Sequence, residues 1–313
     1  MPKAPDFWYQ PPSSWARILS PISDLYGMGV AISKAFARPK AVSAPVICLG
    51  NVTAGGTGKT PLAMALAKRI EGAHFLSRGY KGKLKGPLLV DPAVHTAQDV
   101  GDEPLLLAQV APTWIGANRH AAAEKAIAAG AKVLIMDDGL QHETLIKDVS
   151  ILVIDGARGL GNEHMIPAGP LREPLKDALR KVAATIVVGV QSPETKRQLQ
   201  HWKTPLWQAH PIPVELPKGP VTAFAGIGNP DKFFAMLEQN GCTIAHRRAF
   251  PDHHAFTSQE LTELANLGKP LVTTEKDYVR LPFAARDTIM PVKITIELED
   301  WSPLDALMAE AIS

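Results

Sequence analysis

The residues with the clearest chemical purpose are Thr53-Ala54-Gly55-Gly56-Thr57-Gly58-Lys59-Thr60. Gly55, Gly56 and Gly58 let backbone N–H groups turn inward onto anionic oxygens. A helix starting at the end of this segment would add a favourable dipole for anions. In such a loop Lys59 reaches the β- and γ-phosphates of a nucleotide, and the Thr60 hydroxyl binds Mg²⁺. The strict pattern opens on Gly, whereas Thr53 stands there; a glycine-rich turn with a chance Gly-Lys-Thr is the plain alternative. The loop speaks for nucleotide binding more firmly than for a reaction, since switches, ATPases and kinases all use it.

Acids and bases lie elsewhere in the chain. The apolar run 132–136 ends in Asp137-Asp138-Gly139. An acid at the carboxyl end of a parallel strand, beside a phosphate loop, can hold Mg²⁺ directly or through water. A turn acid or helix cap would look the same. Gly101-Asp102-Glu103-Pro104 opens a helical stretch, where Asp102 is either a plain N-cap or a catalytic carboxylate. Asp252-His253-His254 reads as an exposed polar turn or as the metal motif of a phosphoesterase class. The further isolated Asp and His motifs of such an enzyme are not evident. Arg78, Arg119 and Arg172 follow strand-like runs or lie in Gly/Pro-rich loops. Guanidinium forks suit phosphate, although each alone would pass for a surface residue.

These groups need a scaffold. Pro45–Leu49 reads as a buried strand ahead of the loop, with a helix from Thr60. Apolar runs at 75–76, 132–136, 150–154 and 185–190 alternate with helical stretches at 104–110 and 119–129. Strand–helix alternation with buried strands predicts a parallel sheet covered on both faces. Proline-rich residues 201–220 read as a linker. A smaller α/β unit follows, with strands at 221–225, 270–273 and 292–297, helices near 232–240 and 258–267, and a terminal helix at 303–313. Ahead of the scaffold, Trp15, Ile18, Leu19, Ile22, Leu25, Tyr26, Ile32 and Phe36 recur at helical spacing. Gly27 and Gly29 are expected to divide that segment into two helices.

Composition bounds the class. The 313 residues are 46% hydrophobic and 20% charged, as in an ordinary globular protein. A net charge of +2 implies no general polyanion-binding surface, and no nucleic-acid partner is expected. Cys48 and Cys242 are too few for a disulfide framework, which fits a reducing cytosol. No apolar run approaches the roughly 18 to 20 residues that span a bilayer. The N-terminus lacks a signal-peptide pattern, so the chain is expected to stay on the cytoplasmic side.

Six segments together resemble the tetraacyldisaccharide 4'-kinase (lipid A 4'-kinase) family. They are Gly50–Pro61, Ser77–Tyr80, Val100–Pro104, Asp137–His142, Ile166–Pro174 and Thr273–Asp277. The likeness covers nearly the whole chain, and Thr53 is usual in the family. It implies transfer of the ATP γ-phosphoryl group to the 4'-hydroxyl of a tetraacylated glucosamine disaccharide 1-phosphate, giving lipid IVA. ATP and Mg²⁺ are the implied cofactors. The implied fold is α/β: a P-loop-containing three-layer α/β/α domain with a second, smaller α/β domain and an N-terminal amphipathic segment. The expected division is 1–42 membrane-contacting segment, 43–200 kinase domain, 201–220 linker and 221–313 smaller domain, with the site in the cleft between the domains. By motif position Asp102 is the catalytic base and His253 its partner; Lys59 and Thr60 hold phosphate and metal. Asp138, with Asp137, and Glu103 belong to the Mg²⁺ neighbourhood. Arg78, Tyr80, Arg119, His142, Arg172 and Glu173 are candidates for the lipid disaccharide or its phosphate.

With an acyl substrate, the N-terminal helix is expected to lie in the headgroup region, with Arg17, Lys34, Arg38 and Lys40 near anionic phosphates. Packing on the protein's own core is the alternative. A monomer at the cytoplasmic face of the bacterial inner membrane, peripheral to it, is the expected form. Rival classes are a nucleotide-dependent switch, a kinase or ligase acting on a soluble small molecule, and a membrane-bound ATP sensor. A guanine-type Asn-Lys-x-Asp signature is not matched by Thr274-Glu-Lys-Asp277, whose Lys directly precedes Asp.

Overall fold

A computed structural model describes residues 4–10 and 14–312. Strands β1 (Val46–Gly50), β2 (Ala73–Ser77), β3 (Leu88–Leu89), β4 (Thr113–Ile115), β5 (Val133–Asp137), β6 (Val149–Asp155), β7 (Ala184–Val188), β8 (Leu206–Pro213) and β13 (Ile294–Leu298) make one sheet, in the order β13-β8-β7-β6-β1-β5-β2-β4-β3. The strands from β8 to β4 run parallel, and each edge carries one antiparallel strand. Strands β9 (Pro220–Ala225), β10 (Thr243–Ala249), β11 (Leu271–Thr274) and β12 (Ile289–Val292) form a second, parallel sheet in the order β10-β9-β11-β12.

The period of two along each strand decides the layers. Ile47, Leu49, Val133, Ile135, Ile151 and Val153 face helices Lys59–Ala67 and Ser302–Ile312. Their neighbours Val46, Cys48, Leu134 and Met136 face the opposite way, onto helix Arg119–Ala128. The sheet is thus covered on both faces, as its continuous apolar strands require. The smaller sheet repeats the device. Val221, Ala223 and Val272 meet helix Pro230–Gln239. Phe224, Leu271 and Ile289 meet helix Ser258–Ala265.

Three expectations change. The stretch read as a linker contains β8. Its prolines are tolerated because β7 pairs only with Leu206–Ala209, while Pro211 and Pro213 face β13 alone, in effect an edge. The strand expected at 292–297 divides at Lys293: Val292 ends β12 in the small sheet and Ile294 begins β13 in the large one. Residues after 293 therefore return to the large sheet. Finally, Ser14–Ala35 is one continuous helix despite Gly27 and Gly29. It turns small Ala16 and Ser23 inward, whereas Trp15 is 62% exposed, Leu25 63% and Phe36, just beyond it, 82%. No helix among the described residues is long and apolar enough to cross a membrane.

Candidate active site

β1 lies at the middle of the large sheet, between β5 and β6, and delivers its chain into the loop. Gly50 closes the strand where a Cβ would fall 2.4 Å from Leu140 Cβ. Buried Asn51 then shapes the turn: its Nδ2 donates to the Thr53 carbonyl at 2.6 Å and to that of Gly55 at 3.3 Å. Gly55 (φ +123°) and Gly58 (φ +84°) adopt backbone conformations that side chains disfavour. The loop is braced from outside: Ala54 N donates to Pro170 O at 2.8 Å, and Arg172 N to Val52 O at 2.7 Å.

Lys59 Nζ donates to Asn51 Oδ1 at 3.1 Å and lies 3.4 Å from Asp138 Oδ1. The next residue, Thr60, donates its hydroxyl to Asp137 Oδ2 at 2.8 Å. Parallel pairing sets that contact, because Leu49 of β1 stands opposite Asp137 of β5. Asp137 Oδ1 is buried without a hydrogen-bond partner. Burial, reinforced by the nearby charge of Glu103, raises the Asp137 pKa well above the carboxylate range. The adjacent Asp138 behaves differently. It sits at φ +58° and is gripped by Arg172 Nη1 at 3.0 and 3.1 Å. Burial would raise its pKa, but Lys59 and Arg172 hold it down. The two acids that the sequence groups together thus point to two tasks.

The second half of the site comes from the small sheet. Asp102 Oδ2 lies 3.0 Å from His253 Nδ1. Gly101, at φ +89°, precedes helix Asp102–Leu107 without offering a side-chain cap, and Asp102 is 5% exposed. Two cations flank the same oxygen: Arg280 Nε at 3.6 Å and Lys276 Nζ at 3.8 Å. Lys276 also reaches Glu103 Oε1 at 3.4 Å. Burial alone would raise the Asp102 pKa; the His253 hydrogen bond, Lys276 and Arg280 outweigh it and keep the carboxyl well below its usual range. His253 (φ +60°) is fixed by its own N–H, which donates to Gly226 O at 2.9 Å. Buried Asp277 braces this corner, accepting from Gly226 N at 3.0 Å and Thr274 Oγ1 at 2.6 Å, and pairing with Arg280 Nη2 at 2.9 Å.

The remaining candidates divide. Arg119 is 4% exposed; its Nη1 donates to Gly116 O, and its Nε has no partner. Burial and the charge of Arg78 lower its pKa to about 10. His142, pushed down to about 4 by burial and then by Arg119 and Lys147, is a neutral ring at pH 7. Arg78, Arg119 and Arg172 therefore form a positive rim near Asp138, with the neutral His142 ring beside them, suited to an anionic group. Tyr80, 42% exposed, stands beside them in sequence and contacts Lys81. Glu173 offers no free oxygen for a substrate. It is 0% exposed, and its carboxylate accepts from Lys34 Nζ (2.6 Å), Lys181 Nζ (3.0 Å) and Gln141 Nε2 (3.0 Å). Lys34, expected at membrane phosphates, is spent on that buried acid.

Sequence reasoning missed Asn51, Gln141, Lys276 and Arg280. The first three sit inside the recognised segments but carry no obvious chemistry of their own, and Lys276 stands out only against a guanine signature that it does not match. Nothing in the sequence marked Arg280, which acts one helical turn after Lys276.

Residues 15–313 match the family model described as tetraacyldisaccharide-1-P 4'-kinase. A protein named tetraacyldisaccharide 4'-kinase from Methylobacterium sp. (strain 4-46) is 46% identical, over 98% of this chain and 97% of its own length. One of the same name from Rhodospirillum centenum is 43% identical, over 99% and 97%. Among solved structures, the crystal structure described as the "apo" form of LpxK from Aquifex aeolicus in complex with ATP at 2.2 Å superposes with a TM-score of 0.79 and 28% identity. That alignment covers 95% of this chain and 99% of the other.

Proposed function

This chain belongs to the tetraacyldisaccharide-1-P 4'-kinase family, and from that premise we propose how its residues carry out the reaction. The enzyme transfers the γ-phosphoryl group of ATP to the 4'-hydroxyl of a tetraacyldisaccharide 1-phosphate in lipid A synthesis, forming lipid IVA. The observation that carries the mechanism is the Asp102–His253 pair, 3.0 Å apart and drawn from the two different α/β units, with the neighbouring Glu103 close enough to act on Asp137, the acceptor of the Thr60 hydroxyl.

Asp102 is ionised at neutral pH and accepts the hydroxyl proton as the acceptor oxygen bonds to the γ-phosphorus. The bond from that phosphorus to the β–γ bridging oxygen breaks, and ADP leaves. Lys59 and the loop amides of residues 53–60 hold the phosphates in line, which is most of what phosphoryl transfer needs. His253 fixes the Asp102 carboxylate. Because the base is complete only when the two sheets meet, closure becomes a condition of chemistry and limits wasteful hydrolysis. The division that fits this role is 43–213 with 294–312 for the nucleotide side, and 220–292 for the smaller side.

Mg²⁺ fits the acidic corner. No group of three His, Cys, Asp or Glu side chains among the described residues gathers to hold a metal, and Mg²⁺ ordinarily takes one or two carboxylates plus water and phosphate oxygens. Asp137 Oδ1, buried and unpartnered beside the Thr60 hydroxyl, is the first ligand we assign. Asp138, already held by Lys59 and Arg172, and Glu103, held by Lys276, stand behind it. When bound, the ion would offset the crowded negative charge of the acids and the γ-phosphate.

The exposed stripe Trp15, Ile18, Ile22, Leu25, Ile32 and Phe36 supports a helix lying in a headgroup layer, peripheral to the cytoplasmic face. The positive rim at Arg78, Arg119 and Arg172 is assigned to the acceptor or to phosphate charge. The assay is direct: γ-labelled ATP with acylated disaccharide 1-phosphate should give label on the lipid at the 4' position. Label released only as free phosphate would refute the reading.

A further inference from the structure

Helix Ser14–Ala35 shows opposite faces to two different surroundings. Ala16, Ser23, Gly27 and Lys34 follow one another at intervals of seven, four and seven residues, which places them on one line along the helix. That line is the docking face. Ser23 Oγ donates to Met165 O at 2.8 Å and accepts from Ala168 N at 3.1 Å. A Cβ at Gly27 would lie 2.6 Å from Met165 Cε. Lys34 Nζ reaches Glu173 Oε2 at 2.6 Å. Every one of these contacts falls on residues 165–173, the segment that also braces the phosphate loop through Pro170 and Arg172.

A side-chain route runs parallel to this backbone one. Glu173 Oε1 accepts from Gln141 Nε2 at 3.0 Å, and the same amide donates to Asn51 O at 2.8 Å. Asn51 Oδ1 accepts from Lys59 Nζ at 3.1 Å. Lys34, Glu173, Gln141, Asn51 and Lys59 are therefore linked, each to the next, from the exposed helix to the phosphate-binding lysine. Neutralising Glu173 does not require Lys34, since Lys181 stands 3.0 Å away. The Lys34 contact adds registry between the helix and the loop.

We propose that Lys34 is a positioning residue: through Glu173, Gln141 and Asn51 it sets the depth and rotation of the lipid-facing helix relative to the Lys59 loop. An acyl-chain acceptor held against the outer stripe then meets the γ-phosphoryl group in line. The proposal rests on reading that stripe as lipid-facing.

The test compares wild type, Lys34→Met, Lys34→Arg, Glu173→Gln and the Lys34→Met/Glu173→Gln pair. Vesicles of phosphatidylethanolamine and phosphatidylglycerol would carry the tetraacyldisaccharide 1-phosphate. Lys34→Met should lower kcat about fivefold to thirtyfold, with KM for ATP and partitioning onto vesicles unchanged. Lys34→Arg should restore most of the rate, and Lys34→Met should cost little more once Glu173 is already Gln. Melting curves would verify that each variant is folded. An unchanged kcat for Lys34→Met, independent losses in the double variant, or a loss confined to vesicle partitioning would each overturn the proposal. The underlying lipid reading fails separately: a Trp15→Glu/Ile22→Glu variant would then partition as wild type does.

Discussion

On the large sheet, the groups that would meet ATP phosphates occupy one continuous stretch, Thr53 to Thr60, and work largely through backbone amides. Across the cleft the small-sheet unit supplies Asp102, which belongs to the large-sheet unit, with an imidazole from 151 positions along the chain, and a short helix and its extension add Lys276 and Arg280. The first half is preformed by local sequence: Asn51 ties the turn and Gly58 takes a φ that a side chain would oppose. The second exists only when two packed units face each other. Changes in the loop should thus weaken nucleotide binding, whereas changes at the base should slow transfer with the nucleotide still bound.

The largest effect should come from Lys59→Ala. A loss of about 10² to 10³ in kcat is expected from removing one preorganised donor to the developing charge, and kcat/KM falls further because ATP binding, read by calorimetry, is weakened as well. ATP affinity equal to wild type would erase the contrast. Next is Phe224→Ala, which empties a fully buried position ringed by Phe250 and Phe256. It should cost about 3–5 kcal/mol, with hydrogen exchange rising in β9 and β11 before β1 and β5. Uniform loss of protection would mean the two sheets unfold as one. His253→Gln should lower kcat about 10²-fold while ATP binding is kept; a parallel rise in the ATP Kd would break the division.

The smallest effect is in pH dependence. His142 titrates at about 4 in the folded protein against 6.5 ordinarily. The unfolded chain therefore binds the proton first on acidification. The stability His142 contributes is complete above about pH 6.5 and is lost as pH falls towards 4. Melting temperatures of wild type should fall more steeply through that window than those of His142→Gln; identical slopes would contradict the half-buried, neutral ring.

The same contrast explains what the sequence disclosed. The loop and its flanking β1 and helix Lys59–Ala67 were legible because strand, glycines and Gly-Lys-Thr are adjacent and each has a local physical reason. Asp102 alone looked like a cap, and His253 alone like a polar turn; only the resemblance paired them. Arg280 had no local signature, since its role depends on the Asp277 hydrogen bonds that aim it. The strand β8 was hidden by its prolines, which read as breakers but stand where pairing is one-sided. The break at Lys293 fell inside one apolar run whose two ends pair in different sheets. Helix Ser14–Ala35 was visible from its period, yet nothing local revealed that Lys34 would turn inward to a buried glutamate.

The central claim is that Asp102 takes the acceptor proton while Lys59 and its loop hold the phosphates. It is tested most directly by following γ-labelled phosphate onto the acylated disaccharide with wild type and Asp102→Asn, both saturated with ATP. The account predicts a rate lowered about 10²- to 10⁴-fold in the variant, with ATP affinity preserved. Transfer by Asp102→Asn at near wild-type rate would contradict it.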